Sequence, residues 1–177
     1  MKLWIAIVCL LLTSCTSLSS KSEAIMTFAP CSSIQTKGMS ADGVFLECLD
    51  GEGQVALGSI EGPAIISAWA SWCTNCEAQR PYLIELYEKS GGNLQVIGVD
   101  VEEKSKKDGY EHALKKGMAY PHLFDPDGRT SEVFGPGVPI TQFINAEGTL
   151  TYQQIGPFKS FDQLSDLVSK YLGIKIK

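Results

Sequence analysis

The chain has 177 residues, 44% hydrophobic and 20% charged, an ordinary globular composition that excludes collagen-like, disordered and multispan membrane classes. Its formal charge is -5 and its isoelectric point is near 5.0, and no run of lysine and arginine is long enough to track a phosphate backbone, so nucleic-acid binding is excluded too. The length accommodates one domain plus a short appendage.

Lys2 followed by the apolar run Leu3 to Leu12 reads as an export signal, because about ten residues are too few for a mature bilayer-spanning helix, which needs ~20. The next residues, Leu12-Thr13-Ser14-Cys15, resemble the lipobox of bacterial lipoproteins. Cleavage before Cys15 would leave its thiol to carry diacylglycerol and anchor the chain on the extracytoplasmic face of the cytoplasmic membrane. An ordinary signal peptide cut near Ser17 to Ser20 is the plainer alternative, and either route exports the chain. Residues 16–25 are serine-rich and predict a flexible tether to a folded domain over residues 26–177.

With Cys9 removed and Cys15 lipidated, Cys31, Cys48, Cys73 and Cys76 remain. An even number in an oxidising compartment favours disulfides. Three connectivities are possible, and Cys31 with Cys48 plus Cys73 with Cys76 is the simplest.

Val44 to Leu49 and Gln54 to Leu57 flank the turn Asp50-Gly-Glu-Gly53 and predict a hairpin with Cys48 on its first strand. Pro63 to Ala70 is almost wholly apolar, the pattern of a strand buried on both faces. Cys76 to Ser90 carries Tyr82, Leu83, Leu86 and Tyr87 at helical spacing, with Pro81 expected to bend the helix and Gly91-Gly92 to end it. Leu94 to Val101 predicts a second buried strand, followed by a helix from Lys106 to Lys116 capped by Gly117. A short strand over His122 to Phe124, the turn Asp125-Pro-Asp-Gly128 and a short helix over Ser131 to Phe134 come next. Ile140 to Ile144 and Leu150 to Ile155 predict a second hairpin. A last helix follows, with Ser160 and Gln163 at capping-box spacing and Phe161, Leu164, Leu167, Val168, Tyr171 and Leu172 on one face. Strand and helix alternation followed by a hairpin and a helix implies an α/β domain, a mixed central sheet with helices on both faces.

A cysteine just after a buried strand and at the start of a helix meets unpaired backbone N–H groups and the positive end of the helix dipole, which favour the thiolate. Cys73 holds that position and is assigned as the nucleophile, with Cys76 one turn inside the helix to resolve the mixed disulfide. The run Trp69-Ala-Ser-Trp-Cys-Thr-Asn-Cys76, Pro81, Gly98-Val-Asp100, Phe124-Asp-Pro-Asp-Gly128 and Gly137-Val-Pro-Ile-Thr141 together resemble thioredoxin-fold proteins of the TlpA/ResA type. The resemblance covers Ala41 to the C-terminus. It implies a thioredoxin-like fold with an N-terminal hairpin and an inserted segment over Val101 to Phe124, and thiol-disulfide exchange with exported proteins and a membrane redox partner, without a cofactor, as either a reductant in cytochrome c maturation or an oxidant in protein folding. It also implies a cis Pro139 facing the disulfide, Val138 pairing with substrate peptide, and Trp72 flanking the site. Two positions depart from the pattern: Gln79 stands where such proteins commonly carry glutamate, and Ser67 where thioredoxins carry a buried aspartate.

Other readings are weaker. Cys31 and Cys48 form no second knuckle for zinc, so no metal is expected, and Glu77 stands where covalent haem attachment needs histidine. Peroxide reduction would require a hydroxyl residue and a proline where Ala70 and Ile66 stand. A redox-inert partner-binding lipoprotein would not need Cys73 and Cys76. Glu77 is expected to be an exposed charge, Trp69 a core residue, and His112 and His122 surface residues.

Overall fold

The computed structural model describes residues 27–38, 43–51 and 53–176; the export signal, Cys15 and the tether lie outside them. The elements in chain order are β1 (Phe45–Cys48), β2 (Gln54–Ala56), β3 (Ala64–Trp69), α1 (Thr74–Ser90), β4 (Gln95–Val101), α2 (Lys106–Lys115), β5 (His122–Asp125), α3 (Ser131–Phe134), β6 (Ile140–Ile144), β7 (Leu150–Ile155) and α4 (Phe161–Leu172). They form one seven-stranded sheet in the order β2-β1-β5-β4-β3-β6-β7. Among the described residues, no helix is long and apolar enough to cross a membrane.

β3 is buried at every position, as its unbroken apolar sequence requires of a strand covered on both faces. It runs parallel to β4, and β4 parallel to β5, while β6 and β7 pair antiparallel beyond it. The segment Val101 to Phe124 supplies α2 and β5, and β5 receives the β1–β2 hairpin on its outer edge through antiparallel pairs Glu47 with Phe124 and Cys48 with Leu123. Gln79 of α1 bonds Ser67, which sits opposite Thr141, so these side chains share a face with α1. The next residue, Gln142, points the other way and donates to the Val133 carbonyl of α3. Helices therefore cover both faces, as the sequence predicts for a thioredoxin-like α/β domain. Leu46, Ile65, Leu86, Ile97, Leu123, Phe143 and Leu164 are fully buried between them.

α1 starts two residues earlier than its apolar spacing indicates and continues through Pro81 to Gly91, a left-handed cap at φ 57°. His122 corrects the sequence reading, since it is fully buried rather than on the surface. The hairpin on one side and β4 on the other enclose β5, and the rings of Phe28, Trp69 and Tyr120 pack around the imidazole. Gly98 makes this possible, because any Cβ there would collide with the His122 ring and the Trp69 indole. Trp69 Nε1 donates to His122 Nδ1 at 3.2 Å, and burial pushes the histidine pKa down to about 3, so it stays neutral. His112 is also only partly exposed, with its ring stacked 5.6 Å from that of Trp69.

A disulfide joins Cys31, in a one-turn 3-10 segment, to Cys48 of β1 across a sequence separation of 17 residues. Both are buried, and Cys31 N donates to Asp50 Oδ2 at 2.8 Å. Closing a loop of that length restricts the unfolded chain by about 3 kcal/mol. Cys31→Ala with Cys48→Ala is expected to lower unfolding free energy by that order in urea titrations. An unchanged midpoint would contradict it.

Candidate active site

β3 ends at Trp69 on the carboxyl edge of the sheet, and four residues later Cys73 takes the N-cap of α1 with φ -87° and ψ 105°. Its Sγ accepts from the Cys76 backbone N–H at 3.1 Å. The two sulfurs are bonded at 2.08 Å with Cα atoms 5.3 Å apart. Both cysteines are mostly covered, Cys73 at 6% and Cys76 at 7% exposure, whereas the adjoining Trp72 is 57% exposed. An oxidised pair at a helix N-terminus offers one sulfur to an incoming thiolate, and the same N–H group then stabilises the Cys73 thiolate left by reduction.

The loop carrying Trp72 is fastened to the residues after β4. Trp72 Nε1 donates to the Glu102 carbonyl at 3.3 Å, and Ser71 N to Glu103 Oε2 at 3.1 Å. Glu102 itself adopts a left-handed backbone, φ 53°. The Val138–Pro139 peptide bond is cis and immediately precedes β6, where Ile140 pairs with Ala68 of β3. This register brings the Val138–Pro139 segment to the same sheet edge as the cysteine loop. Trp72 and Val138 line a cleft of about 30 Å³ that includes Ala68, Val101, Phe134 and Gly137. Trp72, Cys73, Cys76, Val138 and Pro139 thus converge on one end of the molecule, while Cys31 and Cys48 form a separate buried link to β1.

Behind the disulfide the two departures noted in the sequence touch one another. Gln79 is 1% exposed, and its Nε2 donates to Ser67 Oγ at 3.1 Å. Ser67 Oγ lies 3.0 Å from Thr141 Oγ1, two residues beyond Pro139. The result is a buried neutral chain, Gln79–Ser67–Thr141, with no carboxylate in it. Gln79 Oε1 has no hydrogen-bond partner among the described residues.

Glu77 is partly buried and paired with Arg80, Lys116 and His112. The Arg80 guanidinium and the Lys116 ammonium hold its carboxyl down to about 2 against the opposing effect of burial, so it is a poor proton acceptor. Burial also lowers the His112 pKa, Glu77 opposing. Sequence reasoning missed Asp100 as a site neighbour. It is fully buried at the carboxyl end of β4, beside Trp69 in register, and neither carboxylate oxygen has a partner among the described residues. Desolvation, with Glu103 adding to it, pushes its pKa up to about 8. The available signal was an acid inside the otherwise apolar run Val96 to Val101.

Residues 39–153 match the family described as AhpC/TSA. The thiol:disulfide interchange protein DsbE of Allochromatium vinosum is 26% identical over 117 residues, 63% of each chain. DsbE of Escherichia coli is 32% identical over 118 residues, 63% of this chain and 60% of that one. The chain therefore matches somewhat under two thirds of the length of these curated relatives. The structure of the exposed lipoprotein thioredoxin Etrx1 of Streptococcus pneumoniae superposes with TM-score 0.61 at 26% identity, covering 73% of this chain and 99% of that one.

Proposed function

The chain belongs to the AhpC/TSA family, and from that membership and the site geometry we propose that it is an extracytoplasmic thiol-disulfide oxidoreductase acting on exported proteins. The observation that carries the reading is the Cys73–Cys76 disulfide at the N-terminus of α1, where Cys73 Sγ already accepts the Cys76 N–H.

A substrate thiolate attacks Sγ of Cys73 and displaces Cys76, or in the reverse direction the Cys73 thiolate attacks a substrate disulfide and Cys76 resolves the adduct. Substrate peptide lies across the Trp72–Val138 cleft, with Val138 offering its backbone, Pro139 facing the sulfurs and the exposed Trp72 flanking them. The relatives named as thiol:disulfide interchange proteins support this chemistry. Peroxide reduction has no support in the residues, because Ala70 and Ile66 are buried and bring no hydroxyl to the site.

Export through the signal at residues 1–15, lipidation at Cys15 and a tether over residues 16–25 place the domain at the outer face of the cytoplasmic membrane, where a membrane redox partner renews it. The lipoprotein character of the pneumococcal neighbour supports that anchorage. Trapping tests the function. Cys76→Ser is expected to accumulate mixed disulfides between Cys73 and envelope proteins after acid quenching, and the double variant with Cys73→Ser none. Absence of adducts in the single variant would sink the exchange reading.

A further inference from the structure

We propose that Gln79 tunes the Cys73–Cys76 couple toward the oxidant side by accepting a hydrogen bond from the Cys76 thiol that exists only after reduction. The inference rests on the exchange reading above and deepens it by assigning a bias to the direction of electron flow.

Gln79 follows Cys76 by three residues on α1, so the two side chains are neighbours on one helix face. They share a cavity of about 10 Å³ with Trp69, Arg80, His112 and Tyr120. That volume is at the lower limit for one water molecule. The amide is held in place by its donor end, since Nε2 bonds Ser67 and Ser67 continues to Thr141. Its acceptor end, Oε1, is buried without a partner among the described residues. A disulfide sulfur carries no hydrogen and cannot satisfy that oxygen. A thiol at Cys76 can.

Glu77 does not compete for this thiol, because Arg80, Lys116 and His112 already occupy its carboxylate. An amide cannot ionise, so Gln79 supports Cys76 as a protonated thiol rather than removing its proton.

The electron balance follows from exchange. A substrate thiolate bonds to Sγ of Cys73 as the Cys73–Cys76 bond breaks. The electron pair passes to Cys76, which takes a proton from water and donates it in a hydrogen bond to Gln79 Oε1. A second substrate thiolate then attacks the substrate sulfur of the mixed disulfide, forming the substrate disulfide and releasing Cys73 as a thiolate. The substrate is oxidised by two electrons and the protein reduced by two. Reduction pairs an acceptor that oxidation leaves unpaired, so the dithiol is favoured.

The test is the equilibrium constant of the couple with glutathione, measured for the full chain, Gln79→Met and Gln79→Leu. Both variants are expected to shift it about tenfold toward the disulfide, equal to about 30 mV of lower potential for a two-electron couple. Thermal unfolding of each redox form separates this from a structural role: the reduced form should lose more stability than the oxidised form. In the reduced wild-type protein, infrared spectroscopy should show the Cys76 S–H stretch lowered by hydrogen bonding, a readout that needs no variant. An unchanged constant, or an unbonded S–H band, overturns the proposal. A constant shifted toward the dithiol also overturns it, because the proposed bond stabilises the dithiol and its loss can only favour the disulfide. Loss of trapping by Cys76→Ser would remove the exchange reading but leave this equilibrium measurable, so the two failures are distinguishable.

Discussion

Replacing Cys73 with serine is expected to slow exchange with glutathione by roughly 10³-fold or more, the scale on which losing a covalent nucleophile acts. The expectation follows from position. Cys73 caps α1 and its sulfur faces the Cys76 N–H, whereas Cys76 lies inside the first turn with Gln79 and the cavity behind it. A thiolate on Cys73 is stabilised by the helix terminus, while Cys76, one turn further in and backed by the uncharged Gln79 amide, lacks that stabilisation. Cys76→Ser should therefore keep the first exchange step and lose release. Stopped-flow fluorescence of Trp72, adjacent in sequence and 57% exposed, can follow both. Fast adduct formation in Cys73→Ser with none in Cys76→Ser would reverse the assignment of roles.

The parts of this site that local sequence carries were legible. A buried strand followed at once by two cysteines at a helix start needs no tertiary information, and the apolar run Ala64 to Trp69 behaves as its composition dictates. Pro139 owed its cis reading to the surrounding motif, and nothing around Gly62–Pro63 marked the second cis bond. What failed depended on strands meeting from distant parts of the chain. His122 looks superficial in a four-residue strand, and only the insertion of β5 between β1 and β4 buries it. Ser67 and Gln79 were each visible as departures from the family pattern. That they bond each other, and leave one amide oxygen unpaired, is a product of packing α1 on β3. Glu77 looked like a solvated charge until α2 brought His112 and Lys116 against it.

Asp100→Asn is expected to stabilise the protein, and increasingly so as pH rises. Asp100 is 0% exposed, packs against Gly109 so closely that no Cβ fits there, and has neither carboxylate oxygen paired among the described residues. Desolvation, then the nearby Glu103, raises its pKa from 3.8 to about 8. Between those values the folded chain keeps a proton that the unfolded chain has released, so folding stability falls as pH rises through the window and levels off above about 8. Each pKa unit corresponds to ~1.4 kcal/mol, so the advantage of asparagine over aspartate should widen by roughly 4 kcal/mol between pH 5 and pH 8. That is a large share of a typical domain's stability, which runs to about 5–15 kcal/mol. Urea titrations of both proteins at the two pH values measure it, and parallel slopes would show that Asp100 does not hold its proton. The position also links stability to the site. Asp100 sits two and three residues before Glu102 and Glu103, whose groups hold Trp72 and Ser71. Ionising Asp100 at alkaline pH places charge in a dry strand end directly behind that attachment. Wild-type exchange should therefore weaken above pH 8 in step with a change in Trp72 fluorescence, and Asp100→Asn should remove both together.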